Sequence, residues 1–193
     1  MIPSKYYPAT LLILVINVVL YFVAHPVYTT WNVHAEEAYA FAAQHPVLWQ
    51  LIAPFLHANL AHIYRNMAML IPCLILIERR VGALHTFLFY LVSGFLAGLL
   101  CLHMYGPQAI GIGASGVVFA VMALSIIVYC KGIARLLLLP GLVFFMTEIA
   151  VWWMPDGIGH VAHFGGYMVG LLWGLVLLPE YGVKRCRCMP LQE

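Results

Sequence analysis

The chain has 193 residues, of which 64% are hydrophobic and only 8% are charged. Soluble domains carry about 25% charged residues, so the composition indicates an integral membrane protein, and we expect no attached soluble domain. The formal net charge of +2 is too small to indicate a nucleic-acid partner, and the five scattered cysteines do not form a disulfide framework.

Six apolar stretches approach the length of about 20 residues that a membrane-spanning helix needs. They cover residues 9–24, 57–77, 85–104, 113–129, 136–154 and 161–178. The sequence therefore predicts an all-α membrane protein in which residues 1–193 form a single six-helix bundle. The first helix has no cleavage site after it and is expected to remain attached. A long outer loop, 25–54, contains a short amphipathic helix at 35–44, and a basic cytoplasmic tail covers 179–193.

Eight of the nine lysine and arginine residues fall on one side of this topology. They are Lys5, Arg79, Arg80, Lys131, Arg135, Lys184, Arg185 and Arg187. The positive-inside rule places that side, with both termini, in the cytoplasm. The ninth, Arg65, lies within the second helix, where we expect it to find a backbone carbonyl or water.

A serine stands among small residues at the start of the fourth predicted helix, in the segment 111–116. The small neighbours let another molecule approach Ser115, and the helix N-terminus favours a developing negative charge. Both are requirements of a serine nucleophile with an oxyanion site beside it. The alternative is that the small residues only let two membrane helices touch.

Polar residues of three separated helices are predicted to reach the same depth, because all three helices run inward from the outer face. The second helix carries His57, His62 and Asn66, the fourth carries Ser115, and the sixth carries His163. Polar groups inside a membrane are costly and usually face the bundle interior. By chemistry, Ser115 is the candidate nucleophile and His163 its base. His62 and Asn66, spaced i, i+4, could donate to an oxyanion, although each alone also fits a structural hydrogen bond.

The sixth helix also carries a ridge of small residues, which is expected to press against a small-faced fourth helix and bring His163 to Ser115. The ridge is Gly166, Gly170 and Gly174, and the opposing face is Gly116 and Ala120.

These motifs together resemble the rhomboid family of intramembrane serine proteases over residues 49–174. The matching positions are Trp49, His57-x4-His62-x3-Asn66, Glu78-Arg79-Arg80-x-Gly82, Gly113-Ala114-Ser115-Gly116 and Ala162-His163-x2-Gly166-x3-Gly170. The resemblance implies a bundle with a water-filled cavity opening outward, in which Ser115 and His163 form a catalytic dyad. It places His62, Asn66, Ala114 and the Ser115 amide around the oxyanion. Substrate-site or structural support would come from His57, Gly113, Gly116, Phe119, Gly166 and Gly170.

The resemblance further implies substrates that are membrane proteins, cut in or near a transmembrane segment, and no metal or other cofactor. The fifth helix and the loop before His160 would form a lateral gate. The expected location is the inner membrane of a bacterial cell, with the site open to the non-cytoplasmic side. Two positions depart from the family: Gln50 replaces an arginine that anchors the outer loop, and Phe119 replaces a tyrosine that stacks on the histidine.

Two other functions remain open at this point. One is a catalytically silent rhomboid-like protein that binds membrane clients, and it predicts the loss of a catalytic residue. The other is a metal or haem protein that uses the nine histidines, although no H-E-x-x-H pattern is present. The sequence leaves open the oligomeric state, the substrate and the roles of Glu148, Cys186 and Cys188.

Overall fold

The computed structural model describes residues 6–28, 33–106, 110–129 and 159–177. All regular structure within these ranges is helical. The elements are α1 (Pro8–Tyr28), α2 (Val33–Gln44), α3 (Pro46–Ile52), a 3-10 turn (Ala53–Phe55), α4 (Leu60–Val81), α5 (Ala83–Tyr105), α6 (Ser115–Tyr129) and α7 (His160–Leu172), which continues into a π-helical turn (Trp173–Leu177).

Two of the described helices, α4 and α5, are long and apolar enough to cross a membrane, while α6 and residues Pro8–Ala24 form shorter apolar helices. The predicted all-helical class is confirmed for the described residues. The predicted helix at 136–154, the gate that it would form and the tail at 179–193 lie outside the described ranges. The six-helix count and the position of the termini therefore stay predictions.

The second predicted helix begins three residues later than expected, at Leu60. The reason is the extended residue Asn59, whose side chain accepts a hydrogen bond from the His62 N–H at 2.8 Å and caps the helix. The expectation that His57 lies within the helix is therefore wrong, since His57 precedes the cap.

The predicted outer loop contains more helix than expected. The short helix predicted at 35–44 is present as α2, but α3 and the 3-10 turn follow it directly. Pro46 opens α3, where its missing N–H costs nothing and its fixed φ suits a helix. Seven residues are too few for a hydropathy window to detect, so the sequence-based prediction missed this helix.

The central helix of the bundle is α6, which is buried along nearly its whole length. Its closest neighbour is α7. A Cβ atom added to Gly166 would collide with the carbonyl oxygen of Gly116, and one added to Gly170 would collide with that of Ala120. The predicted glycine ridge is thus confirmed at Gly166 and Gly170, where main-chain atoms of the two helices touch, whereas a Cβ atom at Gly174 would meet the side chain of Ile127.

At the far end of α4, a fully buried carboxylate joins this helix to α1. Glu78 accepts hydrogen bonds from the backbone N–H groups of Ala9 and Thr10, at 3.0 and 2.9 Å, and from the Thr10 hydroxyl at 2.7 Å. These are donors of the first turn of α1, so an acidic side chain of α4 caps the start of another helix.

Replacing Glu78 with glutamine is expected to lower the free energy of unfolding by about 1–2 kcal/mol, because a neutral amide weakens charge-assisted bonds and turns N–H groups toward donors. Unfolding of the purified protein in mild detergent, followed by circular dichroism, measures the change. Arg79→Gln is the control, since Arg79 is exposed next to Glu78. Equal stability of Glu78→Gln and wild type would show that the buried carboxylate is not needed.

Candidate active site

The hydroxyl of Ser115 and the imidazole of His163 lie in hydrogen-bond contact. Ser115 is the first residue of α6, and His163 stands in the first turn of α7. The distance from Ser115 Oγ to His163 Nε2 is 2.9 Å, across 48 residues of sequence. The glycine contacts between α6 and α7 bring the two helices close enough for this pair to form.

The ring of His163 is held by an aromatic neighbour. Phe119 stands one turn after Ser115 on α6, and its ring is stacked on that of His163, with centroids 4.5 Å apart and an interplanar angle of 21°. Phenylalanine thus makes the stacking contact expected of a tyrosine at this position. A stacked ring fixes the plane of the imidazole and keeps Nε2 directed at the serine.

His62 presents a defined face to the serine-bearing turn. Its Nδ1 accepts a hydrogen bond from the Ala58 N–H at 3.4 Å, which in a neutral imidazole places the proton on Nε2. That nitrogen faces Gly113, where an added Cβ would lie 2.7 Å from the ring. Gly113 also has φ +121°, which disfavours any side chain. Glycine therefore lets His62 approach the turn as a donor.

Asn66 lies one turn further along α4 and is 7% exposed. Its Nδ2 is buried and has no hydrogen-bond partner among the residues that the structure describes. An unpaired buried donor is costly and is usually explained by a ligand or water. Nδ2 lies 3.7 Å from the position of a Cβ on Gly113, so an anion beside that glycine could accept from it.

Two hydrogen bonds tie the turn before Ser115 to residues 46–55, which form α3 and the 3-10 turn and are called the α3 segment below. Trp49 of α3 donates from Nε1 to the carbonyl oxygen of Gly111 at 3.0 Å, and the Gly113 N–H donates to Ala53 O at 2.9 Å. The α3 segment therefore fixes the position of the backbone just before Ser115. Sequence reasoning placed Trp49 in a motif without a role, and no residue pattern indicates the Ala53 carbonyl oxygen as a hydrogen-bond partner.

A third hydrogen bond joins the turn to His57, which is fully buried and accepts it. The Ala114 N–H donates to His57 Nε2 at 3.4 Å. Burial, with a smaller effect of the neighbouring His62, lowers the pKa of His57 from its ordinary value to about 4. The imidazole is therefore neutral near pH 7 and can accept this bond. Since the Ala114 N–H is used here, the geometry gives Ala114 a supporting position in the turn.

A cavity of about 420 Å³ opens beside the serine. The residues that line it include Ser115, His62, Gly113 and Gly116, together with Gln50 of α3 and Gly98 and Cys101 of α5. Gln50 is buried, donates from Nε2 to Pro46 O at 3.0 Å and packs its Oε1 against Gly98. Gln50 therefore anchors the α3 segment against α5, at a position where the rhomboid pattern described above has an arginine.

The structure brings most of the predicted site residues together and places the others in supporting positions. Ser115, His163, His62 and Asn66 gather at one end of the bundle, with Gly113 and Phe119 in direct contact with the two histidines. Gly116, Gly166 and Gly170 act through the contact between α6 and α7. The cap residue Asn59 was missed, although an asparagine just before an apolar helix is a recognisable start signal.

Comparison with known proteins gives a consistent match. The Rhomboid domain family matches residues 45–180. RHOMBOID-like protein 2 of Arabidopsis thaliana is 31% identical over 149 residues, which are 72% of this chain and 46% of that protein. RHOMBOID-like protein 1 of the same plant is 32% identical over 153 residues, 74% of this chain and 38% of that protein. Rhomboid-like protease 3 of Toxoplasma gondii is 26% identical over 141 residues, 69% of this chain and 53% of that protein.

The chain thus spans about half the length, or less, of these curated relatives. All three are eukaryotic proteins, so they do not support the expected bacterial type or a bacterial inner membrane. The family match nevertheless covers well over half of the residues and includes every motif from Trp49 to Gly170. On this match, the chain belongs to the rhomboid family and is a membrane protein.

Proposed function

We propose that the chain is an intramembrane serine endopeptidase that cuts other membrane proteins through a Ser115–His163 dyad. The observation that supports this most is the 2.9 Å contact between Ser115 Oγ and His163 Nε2 at the edge of a cavity. A serine hydroxyl needs an adjacent base to become a nucleophile, and a histidine at hydrogen-bond distance is the usual one.

In the first half of the reaction, Ser115 Oγ attacks the carbonyl carbon of the scissile peptide bond, and His163 Nε2 takes the hydroxyl proton. The tetrahedral intermediate then collapses as His163 gives that proton to the leaving amine. The products are an acyl ester on Ser115 and a free amino terminus. In the second half, water attacks the ester, His163 takes its proton and returns it to Ser115, and the carboxyl product leaves.

Negative charge on the carbonyl oxygen would meet donors from two helices. His62 Nε2–H and the unpaired Nδ2 of Asn66 flank Gly113. The Ser115 N–H, as the first of α6, has no acceptor within its helix. Donors placed before the reaction lower the barrier because they need no rearrangement when the charge develops.

The substrate class follows from the surroundings of the dyad. The apolar helices around the dyad support a site within a bilayer, and the cavity beside the serine is suited to a short unwound stretch of another transmembrane segment. We place the opening on the non-cytoplasmic side, in a single six-helix domain with both termini in the cytoplasm. The function needs no metal or other cofactor, since nucleophile, base and oxyanion donors all come from this chain.

The decisive experiment compares wild type with Ser115→Ala in liposomes that contain a labelled transmembrane substrate with small or helix-breaking residues. A fluorophosphonate probe, which reacts with activated serines, gives a second readout that needs no substrate. Ser125→Ala is the matched control, because Ser125 lies on the same helix and its hydroxyl donates to Val121 O at 2.7 Å.

We expect cleavage and probe labelling in wild type and Ser125→Ala, and neither in Ser115→Ala. Equal cleavage by wild type and Ser115→Ala would refute the serine mechanism. A well-folded wild type that neither reacts with the probe nor cleaves any substrate would instead favour the silent client-binding alternative. Stoichiometric metal in the purified protein would favour the metal-protein alternative.

The stacking partner of His163 offers a graded prediction. Phe119→Leu is expected to slow probe labelling of Ser115 roughly 3- to 10-fold, because an aromatic contact of about 0.5–1.5 kcal/mol no longer orients the imidazole. Phe119→Tyr keeps the ring and is expected to react at the wild-type rate. The labelling rate constant measures both, and a leucine variant as fast as wild type would rule out an orienting role for the ring.

A further inference from the structure

One cation lies on an apolar face of α4 and takes no part in the proposed reaction. Arg65 is exposed, and its neighbours at i−4, i+3, i+4 and i+7 on the same face are exposed and apolar: Ala61, Ala68, Met69 (49% exposed) and Pro72. Among the residues that the structure describes, no carboxylate is in ion-pair contact with Arg65. On a helix with this composition, such a face is turned toward lipid.

The side chain of Arg65 is directed toward the start of α4. Its Nε donates to Ala61 O at 3.2 Å, one turn earlier, so the guanidinium lies over the N-terminal turn of the helix. The Arg65 backbone is roughly 8 Å along the axis from Leu60, at a rise of 1.5 Å per residue. The guanidinium therefore lies nearer the helix end than its backbone does, as expected for a cation that reaches toward a membrane surface.

Two exposed tyrosines lie at the same end of the bundle. Tyr64 precedes Arg65, and Tyr105 is the last residue of α5, where it is 52% exposed. Tyrosines are enriched at the level of lipid headgroups. An arginine next to an exposed tyrosine and near the start of a membrane-spanning helix is therefore expected close to the level of the phosphate groups.

We propose that Arg65 binds the phosphate of a phospholipid in the leaflet at the active-site end of the bundle. A guanidinium has five N–H donors in a planar fork that matches phosphate oxygens, and Nε uses one of them on Ala61 O. The acyl chains of the same lipid run further into the bilayer along Met69 and Pro72, which are exposed one and two turns beyond Arg65 on the same face. A charge exposed to lipid is costly, and a phosphate supplies its counter-ion without a protein carboxylate.

The test uses the purified full-length chain in mild detergent and phosphatidylglycerol that carries a photoactivatable group beside its phosphate. This lipid is chosen because its headgroup has no amine to compete for the phosphate. Cross-linked peptides are mapped by mass spectrometry. We expect labelling of residues 60–69 in wild type, a roughly fivefold loss in Arg65→Gln, as for one basic residue near an anionic surface, and labelling near the wild-type level in Arg65→Lys.

Competition controls distinguish binding of the whole phospholipid from binding of its acyl chains or its phosphate alone. Unlabelled phosphatidylglycerol should compete with the probe, while dioleoylglycerol, which lacks the phosphate, and glycerol phosphate, which lacks the chains, should not. Arg79→Gln changes an exposed arginine at the other end of α4 and should leave labelling of residues 60–69 unchanged. Equal labelling of wild type and Arg65→Gln overturns the proposal, as does competition by glycerol phosphate alone, which would indicate a free anion instead.

Discussion

Replacing His163 with alanine is expected to reduce substrate cleavage and probe labelling of Ser115 by roughly 10⁴-fold or more. The size of the effect follows from the mechanism, because serine and base act as a unit and the loss of either removes nearly all nucleophilic activation. The Ser115 hydroxyl would remain in place, but the imidazole that lies 2.9 Å from it in wild type would be absent. Rate constants for both reactions, compared with wild type in the same liposomes, measure the loss.

His85→Ala is the matched control, since His85 is exposed in the first turn of α5 and does not line the cavity. It should react at the wild-type rate. If His163→Ala retained more than about a tenth of the wild-type rate, another group would have to serve as the base, and the assignment of the dyad would be wrong.

Replacing Gly166 with alanine is expected to destabilise the protein by about 3 kcal/mol. The added methyl group would meet the carbonyl oxygen of Gly116, a backbone atom that cannot rotate away. This clash is relieved only if α7 moves away from α6, and overpacking of this kind costs about 1–3 kcal/mol or more. The midpoint of thermal or denaturant unfolding in detergent gives the change in stability.

Gly159→Ala provides the comparison within the same segment. Gly159 has φ −80°, and an added Cβ would lie 3.7 Å from Ala162 Cβ, an ordinary contact. Its unfolding midpoint should stay close to that of wild type. An equally small change for Gly166→Ala would mean that the two helices are not held by main-chain contact.

The gathering of Ser115, His163, His62 and Asn66 could be predicted from the sequence because a membrane restricts the possible arrangements. Apolar length fixes where helices lie, basic residues fix their direction, and the cost of burying polar groups turns them toward the interior. The glycine ridge could be predicted for a related reason, since small residues at i, i+4 spacing indicate a close helix contact.

Short elements and distant contacts could not be predicted in this way. The helix α3 is too short for a hydropathy window. The assignment of His57 to α4 is a different kind of error, because the start signal at Asn59 is present in the sequence and was overlooked. The bonds from Glu78 to the start of α1 join residues nearly 70 positions apart. Such contacts depend on the register between packed helices, which a single sequence does not contain.

The main-chain contact between Gly116 and Gly166 has a consequence for how substrate preference can change. No side chain separates α6 from α7 at that level, so rotamer exchange cannot alter their spacing. Other residues that line the cavity belong to other helices, with Gln50 on α3 and Gly98 on α5. Substitutions there can reshape the space for a substrate residue while the nucleophile and its base keep their alignment, so selectivity can evolve separately from chemical competence.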